Sequence, residues 1–248
     1  MINQKEMNNI YDNEQFFEQY AQMSRSRQGL SGAGEWHQFK DMFPDLTGKQ
    51  VLDLGCGYGW HCKYAVECGA SQVLGIDLSE KMIQEAQGKN ADPKIQYEVC
   101  GLETYGYPAD SFDCVISNLV LHYVRDLDEI YGRVYRTLKE DSVFLVNIEH
   151  PAFTAGINED WEYDKNGNPT CWPIDNYFYP GERTTHFLGQ HVVKQHHTLE
   201  QILMGLLNAG FQLEAVKEAY PSEDMMEIPG MKDEMRRPMM LIVNSTKR

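Results

Sequence analysis

The sequence predicts an α/β fold on a mostly parallel sheet, and three observations carry the prediction. Short apolar runs suited to strands buried on both faces recur along the chain, beginning with Gln50 to Leu54. Helical stretches separate them, as crossovers between parallel strands require. The first run leads through Gly55-Cys-Gly-Tyr-Gly59 straight into a helix, and its glycines let the backbone turn tightly and approach a ligand.

Ahead of the sheet, Phe16, Phe17, Tyr20 and Met23 fall at helical spacing, and Trp36, Phe39, Met42 and Phe43 form a second stripe that stops at Pro44. Ser24 to Gly34 between them reads as a loop from its Gly and Ser content, so residues 1–48 form a helical cap. After the first strand come a helix from Trp60 to Glu67, a strand from Gln72 to Ile76, and a helix capped by Asp77-Leu-Ser-Glu80 and running to about Gln87. Ile95 to Cys100 and Phe112 to Ser117 are strands, Asp126 to Leu138 is a helix, and Ser142 to Ile148 is a fifth strand. These elements make a core over residues 49–150.

After His150-Pro151 the alternation stops, and residues 152–195 are aromatic and rich in turn residues. Asp164-Lys-Asn-Gly-Asn168 signals one hairpin and Gly189-Gln190 a second, which makes this segment an insertion or lid. Residues 196–248 return to the sheet with a helix to Asn208, a strand from Phe211 to Lys217 and a last strand from Pro238 to Asn244. The expected organisation is one domain of residues 1–248.

The formal net charge of -15 and the lack of a basic stripe argue against nucleic acid as a partner. No apolar run approaches the roughly 20 residues of a membrane span, and Met1 to Asn13 is too polar for a signal or transit peptide. The cysteines, at 56, 62, 68, 100, 114 and 171, form no CxxC pair and read as reduced thiols, so a cytoplasmic location is expected.

A dinucleotide site calls for G-x-G-x-x-G and seats a pyrophosphate. Here the spacing is G-x-G-x-G, and Asp53 precedes the first glycine by two residues. A carboxylate beside the turn suits a ligand with positive charge and no phosphate. S-adenosylmethionine, with its sulfonium and ammonium, fits better than NAD. Asp77, at the tip of the second strand, is placed to accept both hydroxyls of a ribose.

Val51–Gly59, Gly75-Ile-Asp-Leu-Ser79 and Ser111-Phe-Asp-Cys-Val-Ile-Ser-Asn118, in this order, resemble the nucleotide-binding core of class I S-adenosylmethionine-dependent methyltransferases of the small-molecule type. The resemblance covers roughly residues 49–150, with weaker agreement over 198–217. It implies a Rossmann-like, doubly wound, seven-stranded mostly parallel sheet whose last strand is antiparallel, with the N-terminal helical cap and the aromatic, β-rich insertion after strand 5 as additions. It also implies that the glycine loop, Gly55, Gly57 and Gly59, lies under the methionine part of S-adenosyl-L-methionine, with Asp77 on the ribose and Leu78 beside the adenine. Asp53 is a cofactor candidate beside that loop, its alternative being a cap on the local N–H groups of the turn. Many relatives carry an acidic residue where this chain has Gly101, so Leu102 and Glu103 are the candidates for the adenine edge.

Asn118, at the C-terminal end of the fourth strand, is a further cofactor candidate, its alternative being a loop residue that satisfies its own backbone. His150 and His122 are the candidate catalytic bases. Against them stand a turn-shaping role for His150 and a structural His122–Tyr123 pair. Arg25 and Arg27 are candidates for a carboxylate of the cofactor or acceptor, with a solvated loop as the alternative. His191, His196 and His197 lack acidic or thiol partners at ligand spacing, so no metal is expected. One or two insertion rings among Trp161, Trp172, Tyr177 and Tyr179 are expected to face the sulfonium. The function expected is methyl transfer to an unidentified small molecule. A non-catalytic S-adenosylmethionine-binding regulator and a nicotinamide-dependent oxidoreductase are the alternatives.

Overall fold

The computed structural model describes residues 9–248, with the side chain of residue 157 not described; the first eight residues of the expected cap lie outside the described residues. Seven strands form the main sheet: β1 (Gln50–Leu54), β2 (Gln72–Asp77), β3 (Ile95–Val99), β4 (Phe112–Asn118), β5 (Leu138–Glu149), β10 (Phe211–Ala219) and β11 (Met240–Lys247). Their order is β10-β11-β5-β4-β1-β2-β3. All neighbours from β5 to β3 pair parallel, and β11 pairs antiparallel with both β5 and β10. The order reverses between β1 and β4, which is where an open α/β sheet leaves a crevice at its C-terminal edge.

Helices cover both faces, because strands buried on two sides need two apolar layers. On one face, α6 (Leu127–Thr137) and α8 (Leu199–Asn208) bury Ile130, Tyr131, Ile202 and Leu206 against Leu52, Leu54 and Phe144. On the other, α3 (Trp36–Lys40), α4 (Trp60–Glu67) and α5 (Glu80–Lys89) bring Phe39, Cys62, Ala65 and Ile83 onto Val51, Val73 and Ile116. Each fully buried large side chain here contributes about 1.5–3 kcal/mol. The helix starts follow capping chemistry: the Asp126 carboxylate accepts the Glu129 N–H at 3.0 Å. Thr198 and Gln201 form a reciprocal capping box.

The cap holds α1 (Glu14–Gln22) and α2 (Ser24–Gln28), the latter followed by a 3₁₀ turn at Gly29–Gly32. The expected loop over Ser24 to Gly34 is therefore largely helical. The reason is tertiary: Gly29 packs so closely on the Trp60 ring that a Cβ there would lie 2.9 Å from it. Between β5 and α8 lie α7 (Pro151–Thr154) and two hairpins, β6 (Glu162–Tyr163) with β7 (Pro169–Cys171) and β8 (Gly181–Phe187) with β9 (Gln190–His196). The second hairpin turns at Leu188 and Gly189, both with positive φ, 49° and 76°, as a tight hairpin turn demands. Residues 220–237, for which the sequence pattern predicts nothing, hold a 3₁₀ turn and α9 (Met231–Glu234). Among the described residues no helix is long and apolar enough to cross a membrane.

Candidate functional site

A cavity of about 720 Å³ opens over the C-terminal strand ends. Its floor is the Gly55–Tyr58 turn, Asp77 and Leu78 after β2, Leu102 and Glu103 after β3, and Asn118 after β4. The cap supplies Tyr11, Tyr20 and Arg25, while the β8–β9 hairpin supplies Phe187, Val192 and Lys194. Cap and hairpin also meet, through Phe16 on Phe187 with ring centroids 5.9 Å apart and Gln190 donating to Gln15 at 3.0 Å.

The Asp77 carboxylate accepts the Gly57 N–H and the Ser79 N–H, each at 2.9 Å, and so ties the glycine turn to the end of β2. Burial pushes this carboxyl up to about 6, against the pull of those two donors. The three motif glycines do different work. Gly57 has φ +52° and nothing within 4 Å of where a Cβ would stand, so its missing side chain leaves open space beside the cavity. Gly59 does not line the cavity; its absent Cβ makes room for the Tyr97 hydroxyl, which would otherwise lie 2.2 Å away. Gly59→Ala is thus expected to destabilise the fold by about 1–3 kcal/mol in thermal unfolding. Gly57→Ala is expected to cost about 1 kcal/mol of stability while lowering S-adenosylmethionine affinity at least tenfold in calorimetry.

Two further expected site residues lie elsewhere. Asp53 is 1% exposed and does not border the cavity. Alternation along β1 sends it with Val51 to the α4 face, where its carboxylate accepts the Cys62 thiol at 3.3 Å and burial raises it to about 7. Direct contact between Asp53 and the cofactor is thereby corrected to a place beneath the glycine turn. His150 also points away: its Nδ1 accepts the Ala152 N–H at 3.0 Å to cap α7, and its Nε2 lies 3.1 Å from Glu218 on β10. It shapes the turn before Pro151 and cannot act as the base.

His122 does line the cavity, in a polar cluster beyond the ends of β4 and β5. Its Nε2 lies 3.8 Å from Glu149 and its buried Nδ1 has no partner among the described residues, while burial holds the imidazole neutral by driving its pKa well below the usual range. Lys194 bridges Glu149 at 2.6 Å and Glu159 at 2.8 Å. Tyr123 shares a hydroxyl hydrogen bond of 3.0 Å with Tyr11, and Asn147 donates to Asn118 at 2.8 Å. Glu159 and Lys194 escaped the sequence reading. Lys194 had a visible signal, standing two residues from Val192 and so on the same inward face of a strand. Glu159 had none, since it reaches the cluster through a left-handed turn at Asn158 and itself, φ 58° and 48°. Such residues cost about 1–3 kcal/mol each and gather at functional sites.

Arg25 lines the cavity and pairs with Glu35 at 3.1 Å, whereas Arg27 is exposed and does not line it. The rings expected at the sulfonium are not there. Arg236 stacks on Trp161 at 4.5 Å and Arg237 on Trp172 at 4.2 Å, so their faces already hold cations from the 220–237 segment. Tyr177 and Tyr179 also lie outside the cavity lining, where the insertion contributes Phe153 and Phe187 instead. His196 bonds Thr154 and the Tyr177 carbonyl, and His197 the Val124 carbonyl. Among the described residues no group of three or more His, Cys, Asp or Glu side chains is placed to hold a metal ion.

Comparison with known proteins identifies the family. Residues 52–146 match the family model of a methyltransferase domain. A crystal structure from Listeria monocytogenes assigned to the S-adenosylmethionine-dependent methyltransferases is 47% identical, with a TM-score of 0.84 over 89% of this chain and 99% of that one. An S-adenosylmethionine-dependent methyltransferase from Mesorhizobium loti is 40% identical, with a TM-score of 0.81 over 88% of this chain and 100% of that one. A 111-residue stretch is 32% identical to phosphoethanolamine N-methyltransferase 3 of Arabidopsis thaliana, covering 44% of this chain and 23% of that protein's length. The residues lining the cavity fit the ligand these proteins share: Asp77 offers a carboxylate, Gly57 leaves space, and acidic groups outnumber the cations. This chain belongs to the class I S-adenosylmethionine-dependent methyltransferases, and S-adenosyl-L-methionine is its cofactor.

Proposed function

We propose that the chain, acting as one domain in the cytoplasm, methylates a small organic molecule held between the cofactor and the polar cluster around His122. The observation that carries this reading is one continuous cavity with Asp77 and the glycine turn at one end and His122, Tyr123 and Glu149 at the other. Bound S-adenosylmethionine supplies a methyl group already activated by its sulfonium. The chain's own part is alignment and exclusion of water. Asp77 holds the ribose hydroxyls, and Gly55 and Gly57 allow close approach of the methionine part. Leu78 and Leu102 pack on the adenine, with the Glu103 carboxylate at its amino edge. Asn118 fixes the floor below the transferring group, and Arg25 takes the cofactor carboxylate. Where the acceptor must lose a proton, the neutral His122 receives it at its unpartnered Nδ1, and Glu149 stabilises the imidazolium formed. Phe187, backed by Phe16 of the cap, closes the mouth.

Calorimetry tests the reading directly. S-adenosylmethionine and S-adenosylhomocysteine should both bind, and NADH should give no heat. Tight NADH binding with none of the adenosyl compounds would overturn it.

A further inference from the structure

We propose that the methyl acceptor is an amine, cationic at neutral pH, whose ammonium group is held by Glu149 and Glu159. This rests on the methyltransferase reading and specifies its acceptor. The cluster is short of one positive charge. The Glu149 and Glu159 side chains are 10% and 4% exposed, and among the described residues the one cation paired with both is Lys194, itself 5% exposed. Two carboxylates around one ammonium leave an excess negative charge in a place where unpaired charge is disfavoured. A second ammonium completes the square.

The hydrogen-bond inventory points the same way. Glu149 Oε2, Glu159 Oε1 and His122 Nδ1 are buried and have no partner among the described residues. All three belong to residues that line the cavity, and all three accept hydrogen bonds when His122 is neutral with its proton on Nε2, the nitrogen facing Glu149. A primary ammonium offers three donors and no acceptor. An acceptor bearing a carboxylate or phosphate finds the opposite environment. Among the described residues the permanent cations bordering the cavity are Arg25, which pairs with Glu35 and faces the cofactor carboxylate, and Lys194, which the two glutamates engage. Asp77 and Glu103 add further negative charge to the same walls.

The rest of the subsite sets the body of the molecule. Lys194 Nζ already sits 5.5 Å from the Phe153 ring centroid and 5.7 Å from that of Phe187. The same rings, with Tyr123 and Val192, offer cation-attracting faces and apolar walls to an amine with an aromatic or aliphatic body. The left-handed turn at Asn158 and Glu159, held by Thr185 donating to the Asn158 carbonyl at 3.2 Å, delivers the second carboxylate to this point.

The test is calorimetry on the full chain, alone and loaded with S-adenosylhomocysteine, using phenethylamine, phenethyl alcohol, phenylacetate and phosphoethanolamine as probes. Phenethylamine should bind at least tenfold more tightly than each of the other three. Glu159→Gln should remove that preference with S-adenosylmethionine affinity held within twofold, and Glu149→Gln should act in the same direction. A phenethylamine response no stronger than that of the alcohol or the acid, absence of binding included, overturns the proposal. So does a Glu159→Gln variant that weakens S-adenosylmethionine as much as the amine, for the charge completing the cluster would then belong to the cofactor. Failure of S-adenosylmethionine to bind the parent chain strikes the methyltransferase reading instead, and the amine series on the unloaded protein still decides this one.

Discussion

Replacing Lys194 with Met is expected to destabilise the protein by about 3–5 kcal/mol at pH 8 and by much less at pH 5. Methionine fills most of the volume of the lysine stem, so the loss is one of charge. Without the ammonium, the Glu149 and Glu159 carboxylates remain buried and lose the one cation that pairs directly with both among the described residues. Burial already raises both above the ordinary carboxyl value of 4.5, Lys194 opposing it, and removing the lysine raises them further. A carboxyl whose folded pKa exceeds its unfolded one favours the fold below the unfolded value and disfavours it as pH climbs through the folded value. The variant should therefore unfold more readily as pH rises above about 4.5, far more steeply than the parent. Urea unfolding at pH 5 and pH 8 measures this. Equal losses at the two pH values would mean that packing, and not charge, sets the cost. The double variant Lys194→Met with Glu149→Gln should recover part of the stability at pH 8, because it leaves one carboxylate without a cation in place of two.

The second large effect is on cofactor binding. Asp77→Ala removes up to two charge-assisted hydrogen bonds to the ribose, each worth about 1.5–3 kcal/mol, so S-adenosylmethionine affinity should fall at least tenfold. Without ligand, the thermal midpoint at pH 8 should move little. The variant orphans the Gly57 and Ser79 N–H groups, but it also removes a carboxylate that burial penalises. Raised from 3.8 to about 6, this group favours the ligand-free fold below pH 3.8 and loses that contribution as pH rises through about 6. The ribose hydroxyls need the ionised form. Parent affinity should therefore decline as pH falls below about 6, and the Ala variant should lack that slope. Calorimetry across pH 5–8 separates the two. A variant that binds as the parent does would make Asp77 a purely structural residue.

The parts of the molecule legible in the sequence are those written by local pattern. Strands β1 to β4 and the helix Trp60–Glu67 follow from apolar runs, glycine stops and capping residues, and the observed bounds differ by no more than a residue. The site was legible where one turn presents it, at Gly55, Gly57, Asp77 and Leu78. Asp53 was misplaced because alternation along a strand fixes which residues share a face but not which layer that face meets. The docking of α4, with Cys62 against Asp53, decides it. The tryptophans were misplaced for a different reason. Trp161 and Trp172 looked like free π faces, and their partners, Arg236 and Arg237, lie in a stretch with no periodicity to announce it. Glu159 was invisible because a glutamate in the left-handed region follows no propensity rule.

The meeting of cap and hairpin also sets an order of events during synthesis. Gln15 and Gln190 are 175 positions apart, yet their hydrogen bond joins the cap to the β8–β9 hairpin. At about 5–20 residues per second, α1 leaves the ribosome roughly 9–35 s before the strand that completes its seat. Phe16, fully buried in the finished protein, has no Phe187 to meet during that interval. The cofactor cannot rescue the chain early, because the walls that enclose it are made at the two ends of that wait. The nascent cap is thus exposed to chaperones and proteases for longer than any strand of the central sheet.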